Sequence, residues 1–129
     1  MERVKWPVAL CGGVVTAYLG GWDLMLTLLV GFVIIDYVVA VIVAAMDGRL
    51  SSKVGFRGIA KKMLIFVVVA IACMLDAALG QDMLRNVTIW FYIANEGISI
   101  LENLGIAGVP FPRRLSDALE IIRERGEKD

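Results

Sequence analysis

The sequence predicts an all-α, polytopic membrane protein with three to four transmembrane helices and a short cytoplasmic C-terminal amphipathic helix. Three observations lead there. Hydrophobic residues make up 59% of the 129 residues, above the roughly 45–50% of ordinary soluble domains, and mean hydropathy is +0.77. Long apolar runs of helical length carry almost no charge, and the basic residues gather between them. At 129 residues the chain is a single domain, 1–129.

A bilayer core of about 30 Å takes about 20 apolar residues in a helix, with a range of about 17–25. The first candidate, residues 7–19, is shorter than that; Arg3 and Lys5 precede it as they would a signal peptide, but no persuasive cleavage site follows. It reads as a retained, short or tilted helix. Gly20-Gly21-Trp22-Asp23 reads as a turn with an interfacial tryptophan. The run 24–46 is long enough to span, interrupted by Asp36. Residues 59–79 form the next candidate, and 86–104 a third run that is more polar. Pro110 and Pro112 then separate a tail, 110–129, in which Leu115, Ala118, Leu119 and Ile122 recur at helical spacing.

Orientation follows from the basic residues. Arg49, Lys53, Arg57, Lys61 and Lys62 gather in one connection, and Arg113 and Arg114 begin the tail. The Gly20–Asp23 turn has no basic residue and the 80–85 segment only Arg85. Four crossings place every basic segment, and both termini, on the cytoplasmic side; if 7–19 does not cross, the amino terminus lies outside. The basic connection, with Ser51-Ser52 and Gly55-x-x-Gly58, lacks the spacing of a phosphate-binding loop and reads as a solvated, topology-setting loop that touches anionic headgroups.

Two carboxylates interrupt the apolar runs. A charged group at mid-bilayer costs roughly 2.5–3.5 kcal/mol on insertion scales, so Asp36 must meet protein, water or a partner. Asp76, near the end of its run, can reach the interface. Both are expected to make intramembrane polar contacts. At 100° per residue, Arg85, Thr88, Tyr92, Asn95, Glu96, Ser99, Glu102 and Asn103 fall within an arc of roughly 120°. The opposite surface carries Trp90, Ala94, Gly97, Ile98, Leu101 and Leu104. Such a stripe cannot face lipid cheaply. A polar bundle interior, a lumen formed by several copies, or an interfacial helix would each satisfy it. So small a chain has little interior for the stripe, which favours a homo-oligomer in which Thr88, Tyr92, Asn95, Glu96, Ser99, Glu102 and Asn103 line a pore or subunit interface. Gly31, Ala40, Ala44, Ala70, Cys73 and Ala77 would allow close helix approach.

An enzyme is not expected. There is no histidine, which removes the commonest base and metal ligand. Cys11 and Cys73 sit in apolar runs at a spacing that matches no metal or redox motif. Glu96 and Glu102 share a face but stand roughly 9 Å apart along the axis, with no substrate-binding basic or aromatic group beside them. No cofactor or metal is expected. Thirteen Lys plus Arg offset 13 Asp plus Glu, so net charge argues for no nucleic-acid partner.

Two stretches, SSKVGFRGIAKKMLIFVVVAIACMLD (51–76) and FYIANEGISILENLGIAGVPFPRRLSDA (91–118), resemble the family of phage-lysis and clostridial toxin-secretion holins. The second is the more specific, joining a polar-faced helix to a glycine turn and V-P-F-P-R-R-L. Asp36 within an apolar helix also fits. The resemblance covers about residues 24–119. It implies a protein that accumulates in the bacterial cytoplasmic membrane, oligomerises, and opens it abruptly to release an endolysin or a toxin as cargo. An antiholin is a partner the resemblance allows. The residues themselves leave two other classes open: a small-solute channel using the intramembrane acids as an ion path, for which no internal repeat is found, and a non-conducting antiholin or regulatory partner.

Overall fold

Five helices form among the described residues: α1 (Glu2–Tyr18), α2 (Leu24–Met46), α3 (Ser52–Leu79), α4 (Met83–Ile106) and α5 (Arg113–Lys128). The computed structural model describes residues 2–128, with side chains for residues 3–126. Met1 and Asp129, the ends of the expected domain and tail, lie outside the described residues. No strand forms among those described. Two of the helices, α2 and α3, are long and apolar enough to cross a membrane.

Local chemistry sets the ends. Asp23 caps α2, its carboxylate accepting the Leu26 N–H at 2.9 Å. Ser51 caps α3 through the Val54 N–H at 3.2 Å, so that helix begins at Ser52 rather than at residue 59. Lys53 and Arg57, expected in a loop, are therefore helical, as are Lys61 and Lys62 within the expected run 59–79. Gly55 and Gly58, which read as loop glycines, serve close packing instead. A Cβ on Gly58 would come within 3.3 Å of the Tyr37 ring, and one on Gly55 within 3.4 Å of its hydroxyl. That hydroxyl donates to the Gly55 carbonyl at 3.2 Å. Gly80, at φ 68°, closes α3, and the next N–H, Gln81, bonds the Asp76 carbonyl at 3.0 Å. Helix α4 starts at Met83 and α1 at Glu2, both before the expected 86 and 7. The prolines hold the start of α5 to Arg113.

Helix α4 is the centre of the bundle, packed by α2, α3 and α5, while α1 touches α3 at the periphery. The inward seams follow helical spacing: Leu26, Leu29, Val33 and Asp36 on α2; Ile65, Val69, Ala72 and Asp76 on α3; Arg85, Ile89, Ile93 and Glu96 on α4. Each seam is apolar in its middle and carries a charge at one end or both. The outer surfaces are apolar instead. Ile34, Ile35, Val38 and Ile42 on α2, and Leu64, Val67, Ile71 and Met74 on α3, are exposed. Exposed apolar surface of that extent needs lipid or another protein.

Helix α5 folds back antiparallel along α4 rather than standing apart as a tail. Leu119 lies over Gly97, and Gly126 lies beside Val87, Trp90 and Phe91. Leu119 is buried, and Ile122 packs against the main core.

Candidate functional site

The polar stripe of α4 divides on folding. Arg85 and Glu96 are buried, whereas Asn95 and Glu102 are exposed. Thr88, Tyr92, Ser99 and Asn103 are half-buried. Thr88 satisfies its hydroxyl on the Leu84 carbonyl at 2.7 Å, and Asn103 donates to the Ser99 carbonyl at 3.2 Å. Two charged clusters, one mid-bundle and one at the end, account for the buried members.

The first joins three helices. Lys62 of α3 donates to Glu96 of α4 at 2.7 Å and also to Asp36 Oδ2 of α2. The Lys62 side chain is 21% exposed, those of Asp36 and Glu96 3% and 4%. One ammonium thus serves two carboxylates withdrawn from water. Asp36 Oδ1 has no hydrogen-bond partner among the described residues. Asp36 also borders a cavity of about 250 Å³ whose wall includes Tyr37, Ala40, Lys61 and Ser99.

The second cluster closes the opposite end. The Arg85 guanidinium donates to both Asp23 oxygens, at 2.8 and 3.1 Å, and to the Leu19 and Gly21 carbonyls. The arginine on α4 therefore fastens the turn between α1 and α2. Gly20, at φ 88°, crosses directly over that side chain, where a Cβ would overlap Arg85 and lie 3.2 Å from Cys73 Sγ. The Arg85 hydrogen bond holds the Asp23 carboxyl below its ordinary value of 3.8, despite some burial that opposes the shift. Asp76 completes the cluster. It accepts the Leu84 and Arg85 N–H groups at 2.9 and 2.8 Å, so it caps α4 from α3. Asp82, in the N-cap position of α4, makes no side-chain cap bond.

Arg49, Lys53, Arg57, Lys61, Arg113 and Arg114 gather at the other end, where α2 ends, α3 begins and α4 turns into α5. Arg49 pairs with Asp47 at 3.0 Å. Lys53, Arg57, Lys61, Arg113 and Arg114 are exposed. Lys62 alone of the expected topology-setting group turns inward.

Two adjoining cavities follow α4 and share Val68 and Tyr92, one of about 340 Å³ between α3 and α4 and one of about 450 Å³ that α5 also borders. Lys61, Lys62, Asn95 and Glu96 line the first; Thr88 and Arg123 line the second. Half of the stripe therefore borders a groove on one side of α4. Among the described residues, no group of three or more His, Cys, Asp or Glu side chains could hold a metal ion.

The roles of Lys62 and Arg85 were missed in the sequence, although a signal existed. Lys62 stands three residues before Ile65 on the α3 seam, and Arg85 four before Ile89 on the α4 seam. Extending each apolar seam to its charged end finds both.

Residues 13–124 match the bacteriophage holin family. The chain is 43% identical over 127 residues to an uncharacterized 14.9 kDa protein of Clostridium perfringens, covering 97% of this chain and 96% of that one. It is 39% identical over 118 residues to a probable holin of Bacillus phage phi105, covering 88% and 87%. It is 38% identical over 112 residues to YqxH of Bacillus subtilis, covering 86% and 80%. No solved structure matches the chain. The chain belongs to the bacteriophage holin family, and with its two long apolar helices it is a membrane protein of a family that points away from catalysis.

Proposed function

We propose that the chain acts as a holin: several copies assemble in the bacterial cytoplasmic membrane and open it, releasing an endolysin or another cytoplasmic protein. Lipid and further copies of this chain are its partners, with an antiholin as a regulator. The observation that carries this reading is the groove along α4. A bundle whose outer faces are apolar nevertheless carries Thr88, Tyr92, Asn95 and Glu102 toward its surface on the central helix. In lipid those groups are costly, and in an assembly they supply a hydrophilic wall.

In this reading α2, α3 and α4 cross the bilayer and α1, at the lower limit of spanning length, is the fourth helix. The end with Arg49, Lys53, Arg57, Arg113 and Arg114 faces the cytoplasm. Asn95, Ser99, Glu102 and Asn103 line the lumen or the subunit interface, with Thr88 and Tyr92 further along. Glu96 and Asp36 are held by Lys62 within each chain and set how readily the bundle rearranges.

The test replaces exposed stripe residues and spares the ion cluster. An Asn95→Leu, Glu102→Leu variant should reach the membrane at parental levels yet fail to release a folded cytoplasmic reporter. Release at the parental rate would remove these residues from the lumen. Asp36→Asn should shift the onset of release, and an unchanged onset would count against a role for the cluster in timing.

A further inference from the structure

Three exposed cations on α3 stand at a level where the neighbouring helix is apolar. Lys53, Arg57 and Lys61 recur every four residues and so fall within an arc of roughly 80° on α3. All three are exposed, and none forms an ion pair among the described residues. Two contacts fix the level of this stripe against α2: Tyr37 donates to the Gly55 carbonyl, and Lys62 to Asp36. The short turn 47–51 makes the two helices antiparallel. Val38 and Ile42 of α2, both exposed, therefore lie at the levels that Lys53 to Lys61 span.

Between the two helices runs a cleft, the half-open cavity of about 250 Å³ that Asp36 borders. Ala40, Val41 and Ala44 of α2 line it, opposite Leu50, Val54 and Lys61. From Asp36 to Ala44 it extends roughly 12 Å at 1.5 Å per residue. Its wall is mainly apolar, with Asp36, Lys62 and Ser99 at the inner end. Lys61 belongs to both the cleft and the stripe, and Lys53 precedes Val54 directly.

Hydrocarbon suits the cleft and the outer face of α2 but not the stripe, whereas water suits only the stripe. An amphiphile with a negative headgroup satisfies both at once. A second copy paired through the same surface fits less well, because a two-fold contact would bring like cations together.

We propose that α2 and α3 form a binding site for one anionic glycerophospholipid of the cytoplasmic leaflet. Its phosphate sits against Lys53 and Arg57, and Lys61 meets the glycerol level one turn deeper. One acyl chain lies in the cleft, over Ala44, Val41 and Ala40 toward Tyr37. The site rests on the reading that α2 and α3 cross the bilayer with their basic end at the cytoplasmic face, and it does not require that the chain opens the membrane.

The full chain, purified in a mild nonionic detergent, is titrated with phosphatidylglycerol or with phosphatidylcholine of the same chains, and bound lipid is counted by native mass spectrometry. One phosphatidylglycerol per chain should bind at least about tenfold more tightly than phosphatidylcholine, since each cation at the headgroup favours the anion. Lys53→Gln, Arg57→Gln should remove that preference. Arg113→Gln, Arg114→Gln removes as many charges at the same end of the bundle but away from the cleft, and should keep it within about twofold. Ala40→Trp fills the cleft from an exposed position without changing a charge. It should weaken phosphatidylglycerol at least about fivefold by displacing the chain. Val54→Trp does the same from α3 should the first variant disturb the fold.

Equal binding of the two lipids would overturn the inference. So would an equal loss of preference in the Arg113, Arg114 variant, which would make the attraction a property of the whole basic end. Binding that survives both tryptophans would leave the cleft unused and overturn it too, and dimers free of lipid would assign the cleft to a second copy. None of these results bears on the lesion reading. A chain that binds phosphatidylglycerol as expected but never releases a cytoplasmic reporter would sink that reading alone.

Discussion

Replacing Lys62 with methionine removes the ammonium that Asp36 and Glu96 share, at nearly constant volume. At 2.7 Å from Glu96, the attraction is roughly 6 kcal/mol for one pair at an effective dielectric constant of about 20. Desolvation of the three groups offsets much of it. What the variant exposes is therefore not the attraction but the stranded partners, two carboxylates with side chains 3% and 4% exposed. Breaking a buried pair in this way costs about 3–5 kcal/mol. Removing all three charges together, as Asp36→Leu, Lys62→Met, Glu96→Met, strands nothing and should leave stability near the parent or raise it by about 1–4 kcal/mol. The assay is reversible unfolding in mixed detergent micelles, followed by helix circular dichroism. The reasoning fails if Lys62→Met unfolds with the parent, or if the triple variant is weaker than Lys62→Met.

Three further outcomes follow from the other contacts. The Asp23 carboxyl, held down by Arg85, should titrate with a midpoint below 3.8; its contribution is then complete above that pH and lost as pH falls through the lowered midpoint. Carboxyl-carbon NMR of Asp23 checks this, and a midpoint at or above 3.8 would mean the Arg85 bond is absent in solution. Gly20→Ala meets left-handed backbone strain and the Arg85 side chain together, for about 2–4 kcal/mol of destabilisation, whereas Gly21→Ala meets strain alone, about 1–2 kcal/mol. Equal losses in the same unfolding assay would contradict the crossing of Arg85 over Gly20. Gly58→Val should cost about 1–3 kcal/mol by pressing on the Tyr37 ring, and Tyr37→Ala should recover part of that in a double-mutant cycle; strict additivity would show the two do not touch.

Much of this fold can be read from periodicity. Helix α2 covers the residues of its apolar run, and the α4 stripe and its apolar opposite face are both visible at 100° per residue. What periodicity hides is the use to which each face is put. Gly97 and Trp90 lie on the face that suits lipid by composition, yet α5 covers them through Leu119 and Gly126, because Gly97 permits an approach that a hydropathy sum does not register. Lys62 was hidden for a different reason. Gly55 and Gly58 resemble loop glycines, so the basic stretch reads as a connection, although the Ser51 cap was present to start a helix there. Asp76 caps a helix that begins seven residues later, and a contact across a turn leaves no trace in local pattern. Glu96 shares its face with Asn95 and Glu102 but meets Lys62 inside the chain, since Asn95 and Glu96 point about 100° apart on the helix and of the three only Glu96 is buried.

The central claim is tested most directly by inducing the chain in bacteria that carry a large folded cytoplasmic reporter, while membrane potential is recorded in parallel. Assembly into a wide lesion gives a quiet interval, then collapse of the potential together with escape of the reporter. Protein that reaches the membrane and leaves both signals unchanged would contradict the account, and depolarisation with the reporter retained would reduce the lesion to a narrow channel.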